Sequence, residues 1–398
     1  MTNKVNDSFR KLLNYCKGEA FKGYDPYDGL NSKLFQAIPI VHNNRLARLA
    51  WIQLFKHSPI NLRSSAGIRK EYNPKALGLF LSGYCNLYKM STGKENLDMI
   101  QFFIDRIDEV KNKNYAGACW GYNFDWQARA FFQPRNTPTV VATSFIGNAL
   151  LDAYELTMSD KLLETARGSC EFVIKDLNRI YDKTGDFAFS YSPLDKSVVF
   201  NASLLGSRLL ARVYSFTHEK ELLDKARKSV AFCCKYQKPD GSWSYGALDF
   251  HQWIDNFHTG YNLISIADYA KFSGDYSFDE NLNKGFDFYI STFFSDEGVS
   301  KYYDNSVYPI DIHAPAQLIV TLVNLGRLQE YKSLAEKVLS WTITNMQSDE
   351  GYFYYRINKF FSSKISYMRW AQAWMFYALS EYILKAGKTD TTPLSYED

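Results

Sequence analysis

The chain has 398 residues and carries 46 Lys and Arg against 43 Asp and Glu, spread evenly to a formal charge of +3. That balance excludes the clustered basic footprint of a nucleic-acid binder, and no run of 18 uncharged apolar residues offers a membrane span. Cys16, Cys85, Cys119, Cys170, Cys233 and Cys234 show no CxxC or Cys/His spacing, and MTNKVNDSFRKLLNYC lacks the apolar region of a signal peptide, so reduced thiols in a cytoplasmic protein are expected. Helices are predicted around Ser8–Cys16 and Asn43–His57, on either side of FKGYDPYDGLNSKLF (21–35). There Asp25 and Asp28 read as Asx-turn residues shaping a loop, with a pair of glycosidase carboxylates as the alternative.

A first hairpin follows, NPKALGLFLSGYCNLYKM then KENLDMIQFFIDRIDEVKN, with Pro74 in the first helical turn, where its missing N–H costs nothing. Five further segments with helical apolar periodicity start at Ala142, Asn201, His258, His313 and Arg369, 55–59 residues apart. Most are followed by a second amphipathic helix after a short break, so each pair reads as an antiparallel hairpin. A fixed period of this kind signals a repeat architecture. Six inner segments, counting Asn73, predict an all-α (α/α)6 toroid closed by an N-terminal helix. The whole chain is expected to form one domain: a closing segment over 1–72, hairpins over 73–385 and a flexible tail over 386–398.

Aromatic residues make up 17% of the chain, with 29 Tyr, 29 Phe and 8 Trp. Many sit in loops that open on Gly and alternate aromatic with polar residues, such as GACWGYNFDWQ, GSWSYGALDF and GYFYYRINK, which read as short extended hairpins. Two loops carry Gln237…Gly241-Ser-Trp243 and Gln347…Gly351-Tyr-Phe353. That spacing resembles the repeat motif of terpenoid-cyclase and prenyltransferase toroids, which implies a structural Gln at a helix end. The acid motif of those cyclases is missing.

The starts of inner helices in such a toroid ring one cavity mouth. The candidate proton-transfer residues there are Asp125, Asp255, His258 and His313, the two His opening successive inner helices just after an Asp. Helix capping by those Asp, and hydrogen bonding of both His across the wall, is the structural alternative. Candidate binding residues are Asn61, Arg63, Trp120, Tyr122, Trp126, Arg129, Tyr261, Asp311, Arg369 and Trp370. Aromatic faces suit pyranose C–H surfaces, and the arginines suit an acidic sugar. Trp120 and Trp126 could equally plug the toroid. No metal and no cofactor are expected.

The segments GYDPYDGLNSKLF, NPKALGLFLSGY, CWGYNFDWQAR, TPTVVATSFIGNALL and RWAQAWMFYALS resemble a bacterial family of polysaccharide-biosynthesis accessory proteins. That resemblance implies work on surface polysaccharide, with biosynthetic enzymes as partners. More distantly, the six-hairpin plan is similar to glycoside hydrolases, uronate-acting lyases and N-acyl-glucosamine 2-epimerases. The leading expectation is a carbohydrate-active enzyme of hydrolase, lyase or epimerase type. A non-catalytic glycan- or partner-binding module and an isoprenoid-handling toroid are the alternatives.

Overall fold

A computed structural model describes residues 1–128 and 131–386. Six inner helices form a closed ring: α5 (Pro74–Met90), α7 (Val140–Thr157), α9 (Phe200–Thr217), α11 (Asn256–Ser273), α13 (His313–Asn324) and α15 (Ala373–Ala386). Each packs on the next, and α15 returns to α5. The outer layer is α1 (Thr2–Gly18), α6 (Lys94–Glu109), α8 (Asp160–Lys175), α10 (Lys220–Lys235), α12 (Asp279–Phe293) and α14 (Lys332–Met346). The expected (α/α)6 toroid is therefore the fold.

The two layers differ in sequence for a physical reason. An inner helix is covered on every side, as in α7 and α9, where even Asn148, Asn201 and Ser203 are buried. An outer helix buries one stripe, as in α6, where Ile100, Phe103 and Ile107 face inward. Side chains cap several inner helices at the cavity end: Asn73 Oδ1 accepts from the amide of Lys75, Thr139 Oγ1 from Ala142, and Asp255 Oδ1 from His258. Helix α15 instead begins after a π-helical turn over Met368–Gln372, a form of helix that is rare and often marks a functional position.

The Gln motif works between hairpins. Gln237 Nε2 donates to Gly241 O in its own loop and to Asn281 O in the next outer helix, α12. Gln347 Nε2 repeats this with Gly351 O and Ser8 O, so α1 occupies the outer place beside α14 and closes the ring. Gly241 and Gly351 have positive φ, and a Cβ on Gly351 would lie 2.3 Å from Lys11 O of α1.

The segment between α1 and α5 crosses the mouth where the inner helices start. It carries two four-residue helices, α2 (Lys33–Gln36) and α3 (Pro39–His42), then α4 (Arg45–His57). Asp25 and Asp28 make the Asx contacts read from sequence, Asp25 Oδ1 taking the Tyr27 amide and Asp28 Oδ2 the Asp25 amide. Both also hold a buried arginine. Arg369 Nε and Nη2 bind the Asp25 carboxylate, and Arg63 Nε binds Asp28 Oδ1 at 2.6 Å. No helix among the described residues is long and apolar enough to cross a membrane.

Gly351→Ala adds a methyl against a backbone carbonyl at a left-handed position, so a loss of at least about 2 kcal/mol is expected in denaturant unfolding. Glycine to alanine at Gly185, where nothing lies within 4 Å of the added carbon, shares only the left-handed strain and should cost less.

Candidate active site

The inner-helix starts, the loops before them and α4 enclose a cavity of about 530 Å³, within the range of small-molecule sites. Its walls are aromatic and basic. Tyr122, Trp126, Tyr191, Tyr245, Trp253 and Trp370 supply ring faces, and Lys56, Lys75, His258, His313, Arg356 and Arg369 supply nitrogen. Among the described residues, no Asp or Glu lines it. The carboxylates stand one layer back, each already engaged.

His258, in the first turn of α11, is the best-defined group. Its Nδ1 lies 2.7 Å from Asp255 Oδ2, and that oxygen also accepts from Trp253 Nε1 at 3.0 Å. The Asp255 side chain is wholly buried, whereas His258 is about one-fifth exposed. A carboxylate accepts only, so Nδ1 donates its proton to Asp255, and Nε2 is the ring nitrogen outside that pair. The helix cap and the orienting carboxylate are thus one residue, each oxygen with its own task.

His313 opens α13 and is fully packed. Phe257 stacks parallel to it at 4.3 Å, Trp370 meets it edge-on at 5.2 Å, and Tyr261 Oη lies 2.8 Å from Nε2. Burial, with Lys75, His258 and Arg369 nearby, pulls its pKa well below the ordinary imidazole range, so the ring is neutral. Both imidazoles flank Phe257, and both lie 5.8 Å from the Tyr261 ring.

Lys75 was not singled out in the sequence, yet it lines the cavity with only 3% exposure. Its Nζ donates to Tyr261 Oη at 3.2 Å and sits 4.1 Å from the Phe145 ring centre, 5.0 Å from Tyr261 and 5.1 Å from Trp374. The rings favour the cation. Burial and the positive Arg369 oppose it more strongly, with Asp25 pulling the other way, so the amine lies well below the ordinary lysine range.

The structure divides the candidates read from sequence. His258, His313, Tyr122, Trp126, Tyr261, Arg369 and Trp370 line the cavity. Asp255 and Asp311 stand behind it; Asp311 holds Trp370 Nε1, the His313 amide and Arg356. Asp125 is off the lining and accepts the Arg135 amide at 2.7 Å. Trp120 is a buried plug whose Nε1 donates to Ile107 O. Arg63 is spent on Asp28 and on Asp25 O, away from the lining, and exposed Asn61 accepts the Arg63 amide. Arg369 lines the cavity, but its charge is matched by Asp25, which weakens the acidic-sugar argument. Arg129 lies outside the described residues. Among those described, no group of three or more His, Cys, Asp or Glu is placed to hold a metal ion.

No protein-family model and no curated protein sequence matches the chain. The resemblance to polysaccharide-biosynthesis accessory proteins therefore gains no support. Solved structures do match. A cellobiose 2-epimerase from Bacillus thermoamylovorans B4167 superposes with TM-score 0.63 at 13% identity, over 80% of this chain and 90% of that one. An unsaturated glucuronyl hydrolase specific for heparin gives 0.64 at 13% identity, over 99% and 98%. A family 76 α-mannanase from Bacteroides thetaiotaomicron gives 0.63 at 13% identity, over 80% and 88%. At such identities the likeness is one of fold, and it places this chain among the six-hairpin toroids that carry epimerases and glycosidases.

Because Lys75 binds protons less well folded than unfolded, the unfolded chain takes up the proton between the depressed value and about 10.4. Stability therefore rises with pH across that window. Lys75→Met should remove this slope and raise the unfolding free energy at pH 7 by about 1 kcal/mol or more, read by urea unfolding from pH 6 to 9.

Proposed function

We propose that the chain is a sugar epimerase or isomerase that moves a proton at the carbon beside a carbonyl. One observation carries this reading: the cavity presents imidazoles, His258 and His313 among them, with arginines and tyrosines, and among the described residues no carboxylate lines it. Hydrolysis by paired carboxylates needs two acids flanking the glycosidic bond, roughly 5–10 Å apart. Carbon-acid chemistry needs a base, an acid and a positive group on the developing enediolate, and these are the groups at hand. The folds of the epimerase and glycosidases described above agree with a saccharide substrate, and the aromatic walls suit pyranose faces.

In this reading an aldose in its open-chain form stacks on Trp126 and Trp253. His258 Nε2 takes the proton from the carbon beside the carbonyl, and Asp255 stabilises the imidazolium that forms. Arg369, with Nε and Nη2 committed to Asp25, has Nη1 for the enediolate oxygen. His313 returns a proton from the other side, giving the epimer, or the ketose if the proton goes to the neighbouring carbon. The setting suggested by the sequence resemblance, surface-polysaccharide metabolism, would make the substrate a sugar unit of such a polymer.

The test is a product screen by NMR and chromatography against reducing mono- and disaccharides, neutral, amino and uronic. Epimer or ketose formation is expected, with His258→Asn and His313→Asn each lowering kcat by about 10²–10⁴-fold. Asp255→Asn keeps a helix cap but replaces the oxygen on Nδ1 by a donor, so it should lower kcat about 10²-fold or more while costing little stability. Release of a shortened glycan without epimer or ketose would overturn the proposal.

A further inference from the structure

The near-balance of charge over the whole chain hides two stretches where the even spread fails. Between Asp28 and Glu71, which includes the segment over the cavity mouth, stand seven Lys and Arg and no Asp or Glu. Between Glu350 and Glu381 stand four, again with no acid; this stretch holds a hairpin pairing Arg356–Ile357 with Ser362–Ser363. The two meet at the mouth, where Gln53 and His57 of α4 and Arg356 and Asn358 of the hairpin line the same cavity. Arg63, Arg356, Arg369 and Lys70 are matched by acids from outside these stretches. Arg48 and Lys56 meet the neutral Gln127 and Tyr27, and Lys33, Arg69, Lys359 and Lys364 are exposed.

The same stretches expose apolar side chains. Helix α4 is apolar on two faces: Ile52 and Phe55 are buried, while Leu46, Ala50 and Leu54, spaced four apart on one stripe, are exposed. An ordinary surface helix is polar on that side. Helix α3 buries none of its residues, and its Ile40 is 87% exposed. At the hairpin tip Phe360 is 89% exposed, with Lys359 Nζ 5.5 Å from its ring centre.

We propose that this face docks on the surface of an anionic lipid bilayer, its apolar tips entering the headgroup boundary and its cations lying among the headgroups. Such binding draws on buried apolar area and on attraction between basic residues and anionic lipid, and this face offers both. The membrane is touched and not crossed, in keeping with the described helices. A second copy of the chain would set two basic faces against each other. A nucleic acid would meet the charge and leave Ile40, Leu46 and Phe360 in water. The proposal concerns the rim alone and holds whatever reaction the cavity performs.

The test is co-sedimentation of the full chain with vesicles of phosphatidylcholine alone and of phosphatidylcholine mixed with phosphatidylglycerol. Binding to the mixed vesicles is expected, falling as salt is raised, with little binding to the neutral ones. Arg69→Gln, Lys359→Gln and Lys364→Gln together should weaken it about 10²-fold. Ile40→Ser with Phe360→Ser should weaken it about 10-fold or more. These side chains are exposed, so the thermal melt followed by circular dichroism should not change. Lys161→Gln, Lys220→Gln and Lys332→Gln, in the first turns of α8, α10 and α14 at the far end of the ring, should weaken binding much less. No binding to the mixed vesicles, binding indifferent to the rim variants, or an equal loss in the far-end variants overturns the proposal. So does dimerisation in analytical ultracentrifugation that Ile40→Ser with Phe360→Ser abolishes, because the apolar tips then belong to a second copy.

Discussion

The grip of Asp25 on Arg369 joins two parts of the chain that are 344 residues apart in sequence. The carboxylate takes Arg369 Nη2 at 2.8 Å and Nε on its other oxygen, both side chains being about 5% exposed. Around it the backbone knits: the Met368 amide donates to Tyr24 O, and Gly23 passes so close to Met368 that a Cβ would lie 2.5 Å from the methionine Cβ. Arg63, from the segment over the mouth, donates to Asp25 O. Breaking such a pair by removing one partner strands the other charge in the interior, typically at about 3–5 kcal/mol. Ring closure, docking of the mouth segment and placement of Arg369 at the cavity are therefore one structural event.

The same economy governs the whole site. Asp25, Asp255 and Asp311 each neutralise or orient a group that reaches the cavity: Arg369, His258, and Arg356 with Trp370. With acids behind and bases in front, the described lining offers imidazole, amine, guanidinium and phenol groups and no carboxyl group. Buried Lys75 is the exception to pairing, held by ring faces and a hydroxyl.

The ring was legible in the sequence because each inner helix repeats the same demand, an apolar run beginning at a cap. The segments read as starting at Asn73, Asn201, His258 and His313 open within two residues of where α5, α9, α11 and α13 begin. His258 and His313 were legible for the same reason, as polar residues at equivalent places in successive repeats. Lys75 was not, since a lysine after Asn-Pro at a helix start reads as solvated surface until the ring folds that turn inward. Asp125 and Arg63 misled because residue type gives no sign of a partner: one is spent on the Arg135 amide, the other on Asp28. Trp120 and Trp126, six residues apart, part company through a loop, and no pattern in the local sequence shows which one meets the cavity.

The most direct measurement is solvent isotope uptake. The protein is incubated with reducing sugars in D₂O, and deuterium is sought by NMR at the carbon beside the carbonyl. Incorporation that needs both His258 and His313 is the expected result. Turnover with all deuterium absent from carbon, or cleavage of a glycosidic bond in its place, would contradict a site built to move protons at carbon.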